Sequence, residues 1–172
     1  MYSVDSKDKV VELKDIPQSS VGAPCPIVVA TEHTKLVGFF GQTHDPAWNG
    51  ESIRIISPNS KDEPVVVVRF DLCASTMFGA PNDEAFSGHP LASRGLHPYG
   101  AFEVLNSSWI RQLEKMNSVH PHHSPKQYAA LRHVILAFHD STFECVTRGY
   151  TVEQTTGSLL VVMADRLRGL KS

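Results

Sequence analysis

The chain has no stretch apolar enough to cross a bilayer. Its longest apolar runs, such as Leu159–Ala164, fall far short of the roughly 20 residues that a spanning helix needs. The opening residues, MYSVDSKDKVVEL, lack the charged-then-apolar order of a signal peptide. Cysteine is scarce, odd in number and widely spaced: Cys25, Cys73 and Cys145 are the three thiols. That argues against a disulfide framework and for reduced thiols in the cytoplasm, each acting as a small apolar side chain. There is no block of five or more basic residues, and the formal net charge is -2. Nothing therefore asks for a nucleic acid or an anionic membrane as partner. The common chemical signatures are missing too: GxGxxG, a Walker-type loop, HExxH, GxSxG and CxxC.

What is present suits one α+β domain over residues 1–172. The 41% hydrophobic and 20% charged content is ordinary for a globular protein, and 172 residues bury a real core. Residues 1–9 are polar and expected to fray. Strand signals follow one another: Val10–Leu13, then Ile27–Ala30 and Lys35–Phe40 around the turn Thr31–Thr34. Next come Ser52–Ile56 and Val65–Phe70, the latter apolar on both faces and so expected to be central. Gly100–Leu105 returns as a strand. His44–Gly50 reads as loop.

The clearest hairpin is Arg132–Tyr150, reversing at Asp140-Ser141-Thr142. Ser107–Asn117 is the clearest helix, with Trp109, Ile110, Leu113 and Met116 as its apolar stripe. Lys126–Leu131 reads as a short helix, and Ser158–Leu170 as a C-terminal one that turns Leu159, Leu160, Met163 and Leu167 to the sheet. Strands precede helices, so the expected architecture is a mostly antiparallel, curved sheet of about six to eight strands, a roll or partly open barrel or sandwich. The two main helices pack against it.

Candidate chemistry concentrates in the polar segment 79–99, GAPNDEAFSGHPLASRGLHPY, punctuated by glycine and proline. A loop this long in a compact domain is functional or disordered, and Phe86, Leu91 and Leu96 argue for order. Asp83 and Glu84 beside His89 and His97 could do acid–base work, because imidazole and carboxylate can both be tuned towards neutrality. Arg94 could grip an anionic group. Asn82, Tyr99, His139 and Asp140 complete the expected ligand-binding set. The alternative is that these groups knit a long loop to itself.

Near the hairpin tip, His139, Asp140 and Glu144 could converge at one sheet end. The alternative has Asp140 shaping the turn and Glu144 solvated. His120, His122 and His123 resemble metal ligands only superficially: no Cys or carboxylate sits at a ligand spacing from them, and Pro121 and Pro125 suggest an exposed linker. No metal or other cofactor is expected.

The wording PNDEAFSGHPLASRGL (Pro81–Leu96), YGAFEVLNSSWIRQLEKMN (Tyr99–Asn117) and FHDSTFEC (Phe138–Cys145) resembles a family of small uncharacterised bacterial proteins. The resemblance implies a soluble bacterial protein and brings no activity, cofactor or catalytic residue with it. The expected function is a binding or accessory module that engages a small ligand or protein partner through 79–99. The alternative is a small hydrolase or lyase using the His/carboxylate groups, with Arg94 holding an anion.

Overall fold

The computed structural model describes residues 2–43 and 55–170. In chain order the first elements are β1 (Lys9–Glu12), β2 (Ile27–Ala30), β3 (Thr34–Phe40), β4 (Pro64–Asp71), β5 (Ser75–Gly79) and β6 (Gly100–Leu105). Then come α1 (Ser108–Asn117), α2 (Pro125–Ala129), β7 (Arg132–Ala137), β8 (Thr142–Thr147), β9 (Gly149–Thr156) and α3 (Leu159–Arg168). The strands form two antiparallel sheets, one of five in the order β1-β6-β7-β8-β5 and one of four in the order β2-β3-β4-β9. The fold is α+β, and of the expected roll, partly open barrel or sandwich it takes the form of two stacked antiparallel sheets with no closed barrel.

Alternation along the strands builds the layers. Val66, Val68 and Phe70 of β4 face Val134 and Leu136 of β7 and Phe143 of β8, forming the core between the sheets. The other face of β4, Val65 and Val67, packs on Leu159 and Met163 of α3. The other face of β7, Ile135 and Ala137, is covered by Trp109 of α1 and by Phe86, Leu91 and Leu96 of the 79–99 segment. The val-rich β4 is central because both of its faces are apolar and both are buried.

The chain passes between the sheets three times, once from β1 to β2 and twice at one corner. It leaves β4 for β5 through Leu72–Ala74 and leaves β8 for β9 through Arg148. Thr147 Oγ1 and the Arg148 N–H both donate to the Asp71 carbonyl, at 2.6 and 3.2 Å, and Ala74 N–H donates to the Val146 carbonyl at 2.8 Å.

Several expectations change. Within the polar stretch expected to fray, Tyr2 is buried and stacked on Trp109, because its hydroxyl finds an internal acceptor. Leu160 and Leu167 of α3 are exposed, since the face turned to the sheet carries Leu159 and Met163, with Val162 beside them. Met116 likewise extends beyond the buried stripe of α1. Of the strand expected at Ser52–Ile56, residues 52–54 lie outside the described residues, as does the loop His44–Gly50, and Ile55 and Ile56 are in no strand. Strands β5 and β9 were not expected.

Helix α3 approaches β3 closely because Gly38 has no side chain. A Cβ there would run into the Met163 sulfur and stand 2.8 Å from Met163 Cγ and 3.1 Å from Leu159 Cδ1. Both neighbours are buried and have little room to give. Gly38→Ala is therefore expected to lower unfolding free energy by about 1–3 kcal/mol in urea denaturation, the usual cost of overpacking. An unchanged midpoint would mean that α3 sits loosely.

Candidate functional site

The 79–99 segment folds down beside the tip of the β7–β8 hairpin. Asp83 N–H donates to the His139 carbonyl at 2.8 Å, and Thr142 Oγ1 donates to the Pro81 carbonyl at 3.1 Å. Beyond these ties Phe86, Leu91 and Leu96 plug the outer face of the five-stranded sheet. The junction gathers three polar side chains. The Tyr99 hydroxyl bonds Asp83 Oδ2, and His139 Nδ1 lies 2.8 Å from that hydroxyl and 3.0 Å from Asp83 Oδ2.

Asp140 stands 3.8 Å from the far ring nitrogen of His139. Hydrogen bonding to Asp83 pushes the Tyr99 phenol up to about 12, and the same bond holds the Asp83 carboxyl below its usual range. Tyr99 sits in the left-handed backbone region at φ 61°, a conformation that a bulky residue keeps only when its surroundings impose it.

The remaining residues of the expected set do not join that cluster. Asn82 Oδ1 accepts the Ala85 N–H at 3.1 Å and shapes the turn. Glu84 is exposed. Arg94 Nη1 donates to the Asp8 carbonyl at 3.1 Å. His97 bonds the Pro98 carbonyl and sets its ring edge against Phe102.

His89 does meet a carboxylate, but it is Glu144 rather than Asp83 or Glu84, and the pair is buried. This corrects the reading of Glu144 as solvated. Its position on β8 places it on the outer face diagonal to His133 of β7, beneath α1 and the 79–99 segment. Three donors converge on it. Tyr2 Oη reaches Oε2 at 2.7 Å, His133 Nε2 reaches Oε2 at 2.9 Å and His89 Nε2 reaches Oε1 at 3.2 Å.

The tautomers follow from the other ring nitrogens. The Leu91 N–H donates to His89 Nδ1 at 3.1 Å, so the His89 proton is on Nε2. Ser107 Oγ accepts the Ile110 N–H as cap of α1 and lies 2.9 Å from His133 Nδ1, to which it can give its own proton. Burial alone would raise the Glu144 carboxyl, but the bonds from His133, His89 and Tyr2 outweigh it and hold the group down to about 2. Burial and the Glu144 charge push the Tyr2 phenol up, so it remains a donor.

Ser107 is also the link to a cleft. The β6–β7 ladder ends at Glu103↔Val134, while β6 runs on to Leu105 beside β1 and β7 starts at Arg132 beside β8. That fork, roofed by α1 and α2, opens a cleft of about 760 Å³. Ser107, Asn106, Ile110, Arg111, Tyr128 and Leu131 line it. Arg132 closes one wall through a two-pronged bond to Glu103 at 3.1 and 2.6 Å, with its guanidinium 4.9 Å from the Tyr150 ring centre. The cleft and the Asp83–Tyr99–His139 cluster stand at opposite ends of β6 and β7.

Sequence reasoning passed over Tyr2, Ser107 and His133. The available signal was a pair of ionisable residues, His133 and Glu144, set mid-strand on an otherwise apolar face. The described residues contain no group of three or more His, Cys, Asp or Glu placed to hold a metal ion. His120 and His122 pair with each other at 5.8 Å, while His123 turns to Tyr128 and to Glu114, 3.7 Å away.

The network predicts an acid-sensitive stability. A carboxyl brought from its usual 4.5 to about 2 on folding stabilises the native state above pH 4.5, and that contribution disappears as pH falls towards 2. Its size is about 3 kcal/mol at neutral pH. Glu144→Gln should cost about 3 kcal/mol or more, because its amide must face a donor it cannot accept from. Urea denaturation of wild type and variant from pH 7 to pH 2 checks both. Two parallel stability curves would contradict the assignment.

No family model matches the chain, and no curated protein or solved structure is similar to it beyond chance.

Proposed function

We propose that this protein is a binding module that takes a small ligand in the cleft between α1, α2 and the β6–β7 fork. One observation carries the reading: a cleft of about 760 Å³, of ligand size, floored by a buried serine that a hydrogen-bonded His–Glu pair holds in place. Its walls combine apolar surface from Ile110 and Leu131 with the polar groups of Asn106 and Arg111, which suits a small molecule with one apolar and one hydrogen-bonding side. Of the 79–99 segment, the Asp83–Tyr99–His139 cluster faces outward enough to take a partner, and it serves as the control site. A cytoplasmic setting belongs to the proposal, supported by the three reduced thiols, as does the absence of a nucleic-acid partner, supported by the net charge of -2.

The second reading is turnover in the same cleft. Ser107 Oγ, His133 and Glu144 stand in the order nucleophile, base and orienting carboxylate, at 2.9 Å and 2.9 Å. The ring is reversed from the usual arrangement of such sets, with Nδ1 towards the serine and Nε2 towards the carboxylate. The Ser107 proton would pass to Nδ1, and the Glu144 charge would stabilise the resulting imidazolium. That chemistry is acyl transfer, the hydrolase class.

A thermal-shift screen of small molecules decides. A ligand at a hundredfold excess over Kd should raise Tm by about 5 °C or more. Ala130→Trp, which puts a bulky ring at a residue that lines the cleft, should abolish the shift while Tyr99→Phe leaves it intact. Loss with Tyr99→Phe alone would move the site to the 79–99 junction, and the absence of any stabilising ligand would contradict the proposal. For turnover, a fluorophosphonate should label Ser107 in wild type and leave Ser107→Ala unmodified. An unlabelled wild type would rule that second reading out.

A further inference from the structure

The corner where the chain changes sheets holds two thiols. Cys73, in the β4–β5 connection, and Cys145, in β8, are unbonded with their sulfurs 3.2 Å apart. They are 72 positions apart in sequence, which is why spacing gave no sign of the pair. Both backbones are anchored. Cys73 N–H donates to the His33 carbonyl at 3.0 Å, and Cys145 pairs with Thr76 on one side and Val134 on the other. The two thiols differ in access: Cys145 is fully buried in the core between the sheets, while Cys73 is partly open.

Their surroundings also differ. The Cys145 S–H donates to Cys73, and Thr147 and the Lys35 ammonium add to that bond, so the Cys73 thiol is pulled down towards thiolate. The bond to Cys73 and its burial push the Cys145 thiol up. Cys25 lies in a different layer, against the α3 side of the four-stranded sheet.

We infer that Cys73 and Cys145 form a reversible oxidation site, a dithiol that closes to an intramolecular disulfide when hydrogen peroxide reaches Cys73. In the first step the Cys73 sulfur attacks the peroxide oxygen, the O–O bond breaks, and water leaves with the thiol proton, giving a sulfenic acid. In the second, the Cys145 sulfur attacks the Cys73 sulfur, the S–O bond breaks, and a second water leaves with the Cys145 proton. Two thiols lose two electrons and the peroxide gains them. The sulfurs need to close by about 1 Å to reach bonding distance. The new bond would tie the β4–β5 connection to β8 at the place where the chain crosses between sheets.

The test uses the full-length protein, reduced, freed of reductant and given a small molar excess of hydrogen peroxide at neutral pH. Thiols titrated in denaturant should fall from three to one, and the intact mass should fall by two hydrogens. Peptide mapping should place the link at 73–145, dithiothreitol should restore three thiols, and Tm of the oxidised form should rise by on the order of 5–10 °C. Cys25→Ser should still form the link. Cys73→Ser, at the more exposed position, should keep both remaining thiols. Addition of oxygen at Cys73 with Cys145 left free, a link through Cys25, or three thiols persisting while a free cysteine control oxidises would each overturn the inference.

Discussion

The structure depends on one buried carboxylate. Glu144 lies under α1 and the 79–99 segment, and the three groups that donate to it come from the N-terminus, from that segment and from the neighbouring strand. Taking a carboxylate out of water costs several kcal/mol even after relaxation. Three hydrogen bonds to a charged acceptor, at about 1.5–3 kcal/mol each, are enough to offset it. With one donor removed the balance would be close to even; with all three it favours the ionised, folded arrangement. That requirement orders Tyr2, fixes the path of the chain at His89 and sets the tautomer of His133.

The same carboxylate connects the core to the surface. His133 carries its influence to Ser107, which both caps α1 and floors the cleft at the β6–β7 fork. The serine is thus held by structure that reaches from the first residues of the chain to β8. A polar network with every member satisfied makes a rigid floor, and rigidity lowers the cost of ligand binding. The Asp83–Tyr99–His139 cluster, at the far end of the same two strands, has a different character: half-open, with a strained backbone at Tyr99 and no tie to Glu144. Its bonds also hold the 79–99 segment against the hairpin tip.

Much of the fold was legible in the chain. Local patterns sufficed for the hairpin at 27–40, the central β4, the capped helix after Ser107 and the β7–β8 reversal, because period and turn chemistry decide those within a dozen residues. Local pattern leaves the choice among roll, partly open barrel and sandwich open. The two crossings that share a corner depend on bonds from Thr147 and Arg148 to Asp71, which no window of sequence brings together. β9 was missed because Tyr150–Thr156 is polar and largely exposed at a sheet edge. The site was legible only in part. Asp83 from the expected acid–base set meets Tyr99, His139 and Asp140 from the expected ligand-binding set, while the other members of both sets lie elsewhere. His89 was named with the wrong carboxylate, since Glu144 lies 55 positions away and an acidic residue near a turn reads first as solvated. Tyr2 was discounted for lying in a polar terminus, where burial comes only from tertiary contacts.

The account is tested most directly by a carboxyl NMR titration of Glu144. The carbon shift should stay at its ionised value through the range where ordinary glutamates titrate and move only near pH 2. A Glu144 that titrates at 4.5 or above would mean that the three donors do not hold it charged, and the network, the ordered N-terminus and the fixed serine would lose their common cause.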